Sequence, residues 1–330
     1  MSATSSTTDV VPLPLKGKAN KRRNEIMWLF FTLATTLLWG LAELFYKKGS
    51  HENEKYGHLK VCVVVGAVMG IHAIFTLFTA DVGYSLKYLW EYLPVSLCYI
   101  VSMACSYFGI RFIEESIADP IENSAGVMVT VLCALLLGET LSLPMWIAIG
   151  AITVGIIGVT LQERSKEVNR SGKLGKKLAF FAFLMPFLYA FIDAFGTFLD
   201  DIYLDMETTP LTGVTEDNIE LVANVSYELT FLFVGIVLFL FMKARKVKFE
   251  LPKQKDKVLA AVCETAGQLT YVYALSGGHG AIAAPIISCV CVVALLLSRI
   301  FLKEKLTWKQ YAFIGVIIAG ILALAIIEGE

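Results

Sequence analysis

Apolar residues run along this chain in long stretches broken by short polar ones. Ten runs can be drawn: about 26–46, 59–80, 92–112, 116–137, 143–162, 178–199, 219–242, 258–276, 280–302 and 307–327. Each is close to the roughly 20 residues that an α-helix needs to span the apolar core of a bilayer. The pattern predicts an all-α polytopic membrane protein with ten transmembrane helices behind a polar tail, residues 1–25.

One stretch is written twice. Ala118-Asp119-Pro120 opens a segment that passes Glu139, Leu141, Gly150 and Gly155. Ala283-Ala284-Pro285 opens another that passes Glu304, Leu306, Gly315 and Gly320, and each landmark lies 165 residues after its counterpart. The first helices align too, with Trp39-Gly40-x-x-Glu43 facing Tyr189-Ala190-x-x-Asp193 at an offset of 150. The missing residues are assigned to the acidic connection 200–218. Duplication divides the chain into a first five-helix repeat (26–162), a basic linker (163–177) and a second five-helix repeat (178–327). An odd number of helices per repeat inverts the second copy in the membrane, an arrangement that places substrate near the midplane between halves.

Composition sharpens this picture. Hydrophobic residues make up 56% of the 330 and charged residues 17%, well below the roughly one quarter usual for a soluble domain. The net charge of −1 gives no electrostatic reason to expect nucleic acid. All seven cysteines fall in apolar runs without a Cys-x-x-Cys pair, so they read as packed thiols, with neither disulfide framework nor metal site. The first apolar run continues through Trp39-Gly40 without a cleavage pattern and reads as a retained helix. On the positive-inside rule, 22 of the 28 Lys and Arg lie on the cytoplasmic side if the N-terminus is outside. The basic tail (Lys16, Lys18, Lys21, Arg22, Arg23) favours the opposite orientation. Gly66 and Gly70, with the pairs 150/155 and 315/320, permit close helix approach within the chain.

Charge at the centre of a membrane helix costs about 2.5–3.5 kcal/mol or more, which makes buried acids functional candidates. The candidates are Glu43, Asp119, Glu122, Asp193, Glu228 and Glu264. Glu43 and Asp193 each follow an aromatic, Trp39 and Tyr189, by four residues, so ring and carboxylate share one helix face. Pseudosymmetry would bring the two carboxylates together across a cavity. A carboxyl there can hold a proton or a cation but hardly both, a minimal coupling device. Against this, Glu43 near a helix end can pair with Lys47 one turn on. Asp119-Pro120-x-Glu122 has the form of a helix start, with Asp119 as cap and Glu122 and Asn123 at the cavity edge. Glu264, Gln268 and Tyr271 form a polar stripe at helical spacing, and Tyr107 and Tyr273 are plausible aromatic neighbours for a cation. His72 reads as a hydrogen-bonded core residue, Glu228 as the partner of another helix, and Glu139 and Glu304 as turn or capping residues.

The early Trp-Gly and the Gly138-Glu139-Thr140-Leu141 boundary followed by Gly150 resemble the drug/metabolite transporter superfamily, in particular its EamA-like group. Lys303-Glu304-Lys305-Leu306 with Gly315 is similar, Lys standing where the pattern has Gly. The resemblance covers about residues 26–327 and implies a transporter of ten helices. Members usually have both termini in the cytoplasm and a proline nearer the middle of helices four and nine than Pro120 and Pro285 are here. Ala42-Glu43 is similar to the small multidrug-resistance branch, whose helix-one glutamate binds protons and cations competitively.

These readings converge on a secondary active transporter in the plasma membrane, exporting a small metabolite or an amphipathic cation by alternating access coupled to protons. The expected ligand is cationic or zwitterionic, the chain a monomer or homodimer, and no cofactor is implied. Two rivals are weaker. A phosphate- or nucleotide-sugar exchanger would want cavity Lys or Arg. A membrane-embedded enzyme would want a motif such as His-Glu-x-x-His or Gly-x-Ser-x-Gly, and the chain has neither.

Overall fold

The structure is a computed structural model and describes residues 15–49, 56–80, 82–109, 121–163, 176–276, 279–301 and 306–328. Among the described residues every regular element is helical. In chain order they are α1 (Leu15–Gly49), α2 (Gly57–Thr79), α3 (Leu86–Glu91), α4 (Leu93–Gly109) and α5 (Ala125–Leu132), which runs into a π-helical turn, Cys133–Leu137. Then come α6 (Leu143–Glu163), α7 (Lys176–Leu204), α8 (Ile219–Ala244), α9 (Lys255–Leu275), α10 (Gly280–Ile287), α11 (Val290–Phe301) and α12 (Trp308–Glu328). Seven stretches are long and apolar enough to cross a membrane, and three shorter apolar helices fall on the remaining expected runs. This is a multi-pass membrane protein. Large apolar side chains such as Phe78 (87% exposed), Ile71, Phe180 and Phe233 point outward, as a lipid-facing surface requires.

Local chemistry explains the interruptions. Gly138 adopts φ 73°, a left-handed conformation that glycine reaches without a Cβ penalty, and it ends the π turn. Pro285 lies within α10; after it the chain passes through a turn at Ser288 and Cys289 before α11 resumes. The span 280–301 is therefore two helices in sequence. Pro186 sits inside α7 and removes one backbone donor a turn before Tyr189. The expected helix 178–199 is longer than the sequence reading allowed. α7 continues to Leu204, so Asp200 and Asp201, assigned above to an outer connection, are buried helix residues. Asp119, Pro120 and Glu304 lie outside the described residues.

Helices pack in antiparallel pairs. α1 lies along α9: Trp28 stacks on His279, Thr35 meets Gly267 and Thr270, and Gly49 meets Lys257. α4 lies along α7 in the same sense, with Tyr92 on Asp200, Cys98 on Gly196 and Ser102 on Asp193. α2 pairs with α8 through Gly66 and Gly235, α5 with α10 through Gly126 and Ala284, and α6 with α12 through Gly155 and Ile317. Gly155 and Gly320 both sit against the partner helix, whereas nothing lies near Gly150 or Gly315. Residues separated by 165 in the sequence thus occupy like environments.

The two ends differ in charge. One gathers the start of α1, the turn between α2 and α3, residues 138–143, the α7–α8 connection and His279; Asn218 caps Val82 there and Lys87 reaches Thr212. This acidic end carries Asp205, Glu207, Glu216 and Asp217. At the basic end, Gly49 packs against Asp256 and Lys257 near Lys243, Arg245, Lys246, Lys248, Lys253 and Lys255.

Candidate functional site

Tyr189 on α7 is the centre of an acidic group. Asp193, Glu122, Glu43 and Glu264 all lie within electrostatic range of its phenol, in that order of effect. They come from α7, the turn before α5, α1 and α9. Asp193 and Glu264 are surrounded by protein yet keep accessible surface, as side chains lining an internal cavity do. Glu43 is the most open of the four.

Short polar contacts orient this group. Ser102 of α4 reaches Asp193 Oδ1 at 3.3 Å, and Ser106 one turn on donates to Glu122 Oε2 at 2.9 Å. Trp39 lies against Gly267, donates from Nε1 to the Glu264 carbonyl at 3.3 Å and packs on Tyr271 with ring centroids 5.1 Å apart. A side chain at 267 would displace the indole, so glycine sets that contact. Gln268 is 3% exposed and its Nε2 has no hydrogen-bond partner. Asn123 is half-buried beside Glu122. Tyr107 lies on α4, but its side chain is outside the described set. Tyr273 stacks on Phe31 toward the acidic end, away from the carboxylates.

Sequence reasoning missed a second polar group two turns along α7. Asp200 is fully buried. Tyr92 donates to its Oδ1, and Tyr99 donates to its Oδ2 at 3.3 Å. The Tyr99 hydroxyl is 2.6 Å from that of Tyr271, which donates to Thr197 Oγ1 at 2.9 Å. Tyr227 of α8 packs edge-on against Tyr99 at 5.7 Å. The signal was present: Tyr189, Asp193, Thr197 and Asp200 continue one face of α7 at spacings of four, four and three. Ending the helix at 199 hid it.

Beyond Asp200, a cavity of about 490 Å³ opens among Leu137, Glu139, Met145, Asp201, Asp205 and His279. Glu139 lines this cavity from the connection between the π turn and α6. Cys133, Glu139 and Asp201 each place one ligand-type atom within 4.8 Å of the others. Cys133 Sγ donates to Asp201 Oδ2 at 3.8 Å, and the Gly280 N–H donates to Oδ1 at 2.7 Å. Asp201 thus accepts from a thiol on one oxygen and a backbone N–H on the other. Burial holds the imidazole of His279 below its usual pKa, as a ring stacked on Trp28 should be. Elsewhere Glu228, also fully buried, meets His72 of α2 at 2.8 Å, a pairing between helices.

A model of the EamA-like transporter family matches residues 26–161 and 218–326. The chain belongs to the EamA-like transporter family. It is 35% identical over 96 residues to an uncharacterized protein of Methanocaldococcus jannaschii, a match covering 28% of this chain and 70% of that protein. A solved crystal structure of a protein is similar in fold over 91% of this chain and 96% of its own, with a TM-score of 0.69 at 11% identity. In this EamA-like chain, residues 162–217 lie between the two matched regions and carry Tyr189, Asp193 and Asp200.

Proposed function

We propose that this EamA-like protein is a proton-coupled secondary transporter of a small cationic or zwitterionic metabolite, working as an exporter in the plasma membrane by alternating access. The observation that carries the reading is the convergence of Asp193, Glu122, Glu43 and Glu264 on Tyr189. Four acids from four elements, with Trp39 and Tyr271 beside them, suit a positive ligand and disfavour a phosphate. Asp193 and Glu43 bind the proton or the cation in turn. Glu122, Asn123, Glu264 and Gln268 shape the cavity, with Tyr107 at its edge.

The antiparallel pairing supports a ten-span architecture of two inverted five-helix repeats. α1 with α9 mirrors α7 with α4, while the α2–α8, α5–α10 and α6–α12 pairs straddle the axis. A site between such halves can open to either side as they rock. The turn at Ser288 and Cys289 that splits α10 from α11 lies 165 residues after the turn at Asn123 and Ser124 before α5, so both halves interrupt a span at the corresponding place, as transporters often do.

The test is uptake into proteoliposomes driven by a pH gradient, preceded by a thermal-shift screen of cationic ligands at pH 6 and pH 8. Ligands should stabilise the protein more at pH 8, and Glu43→Gln with Asp193→Asn should abolish gradient-driven uptake. Uptake that is unaffected by both substitutions overturns the coupling role.

A further inference from the structure

Between the Tyr189 site and the acidic end stand Asp200, Tyr92, Tyr99, Tyr271 and Tyr227, each buried. Asp200 lies seven residues beyond Asp193, about 10 Å along α7 toward that end. The next residue, Asp201, lines the cavity shared with Glu139, Asp205 and His279. Buried polar networks of this kind join elements firmly only while every member is satisfied. The Asp200 carboxylate ties α4 to α7, and Tyr271 ties in α9 through the hydroxyls of Tyr99 and Thr197.

We propose that Asp200 is a proton-binding gate residue: ionised, it draws the phenols of Tyr92 and Tyr99 across the acidic end of the path, and a proton taken up through the Glu139–Asp201–Asp205 cavity releases them. The proposal rests on the transporter reading for its purpose, but its chemistry is local. An ionised carboxylate accepts one phenol O–H on each oxygen, as Oδ1 and Oδ2 do here. When a proton from hydronium bonds to one oxygen, that oxygen becomes a donor and can no longer serve its phenol in the same geometry. Tyr99 has an alternative acceptor in Thr197 Oγ1, 3.2 Å away, so its release leaves no hydroxyl stranded. Thr197 is itself on α7, so the tie that the α4–α7 contact loses at the acidic end is that of Tyr92.

The titratable groups around Asp200 are carboxylates and phenols. Along α7 they are the carboxylates Asp193 and Asp201. From α4 they are Tyr92 and Tyr99, from α8 Tyr227 and from α9 Tyr271. Past Asp201 stand Cys133, Glu139, Asp205 and the neutral His279.

Cys98 provides a reporter, since it is half-exposed, abuts Gly196 and neighbours Tyr99. The full-length protein with Cys98 as its one remaining cysteine is reconstituted in sealed vesicles. It is then labelled with an impermeant maleimide applied from the acidic end, without substrate. Labelling, corrected for the intrinsic pH dependence of the thiol using a solvent-exposed cysteine, should be slow at pH 8 and rise about tenfold at pH 6, the scale of one charge-assisted hydrogen bond. Asp200→Asn should label fast at both pH values, and Tyr92→Phe fast at pH 8. Asp201→Asn should keep the step.

A step that survives Asp200→Asn, or that follows Na⁺ at constant pH, overturns the proposal. Should Asp200→Asn fail to fold, Tyr92→Phe keeps the carboxylate and tests the same tie; unchanged slow labelling in that variant also refutes it. Because labelling needs no substrate, a pH step without uptake would refute transport alone, and coupled uptake without a step would refute the gate alone.

Discussion

Substituting Gly66 by Ala tests the packing on which the paired-helix arrangement depends. A Cβ at residue 66 would run into the carbonyl oxygen of Phe231 and come within 3.2 Å of Gly235 Cα. Both obstacles are backbone, so no rotamer change relieves them and α2 must move away from α8. Overpacking of this kind costs about 1–3 kcal/mol. Replacing glycine in a helix returns about 1 kcal/mol of propensity, leaving a net loss of up to about 2 kcal/mol. The same change at Gly150 or Gly315 meets nothing within 4 Å and should be neutral or stabilising by up to about 1 kcal/mol. Thermal unfolding of the purified protein in detergent reads the difference, at about 2 °C per kcal/mol for a chain of this size. Gly66→Ala should lower the midpoint by up to about 4 °C while the two controls hold or raise it. If Gly150→Ala or Gly315→Ala loses as much as Gly66→Ala, the assignment of packed and lipid-facing positions is wrong.

Other expectations can be checked with the same preparation. His72→Leu leaves the buried carboxylate of Glu228 without its imidazole and should destabilise by about 3–5 kcal/mol, whereas adding Glu228→Gln should recover much of the loss in a double-mutant cycle. His279 has a lowered pKa in the folded protein, so its contribution is complete above about pH 6.5 and is lost as pH falls below that value. His279→Gln should therefore flatten the acid side of the stability curve below about pH 6.5. The exposed Glu250 is held below the usual carboxylate range, first by its hydrogen bond to Lys253 and then by that residue's charge. Any stability from that pair is present above the unfolded carboxylate pKa and lost as pH falls through the folded one. Lys253→Ala should consequently lower stability only slightly, and only above about pH 4.5, leaving unfolding unchanged at lower pH.

Hydropathy was enough to establish the helical class, and the Trp-Gly and Gly-Glu-x-Leu motifs were enough to suggest the family, because each follows from the local order of residues. Lipid demands long apolar runs wherever a helix crosses it, and duplication leaves landmarks at constant spacing. The candidate acids could be named for a similar reason: a carboxylate amid apolar residues is conspicuous along the chain itself. Their company was decided only by tertiary structure. Nothing local says that Glu122, from the turn before α5, and Glu264, from α9, share the surroundings of Tyr189 with Asp193. Nor does the sequence reveal that Tyr92 and Tyr99 turn toward Asp200, or that Glu139 reaches a cavity with Asp201. Those contacts join residues more than 60 positions apart, brought together when antiparallel helices dock at glycines. Helix length, too, was settled by packing. Asp200 and Asp201 look like a polar helix end in sequence, yet phenols, a thiol and the Gly280 N–H satisfy them and let α7 continue to Leu204.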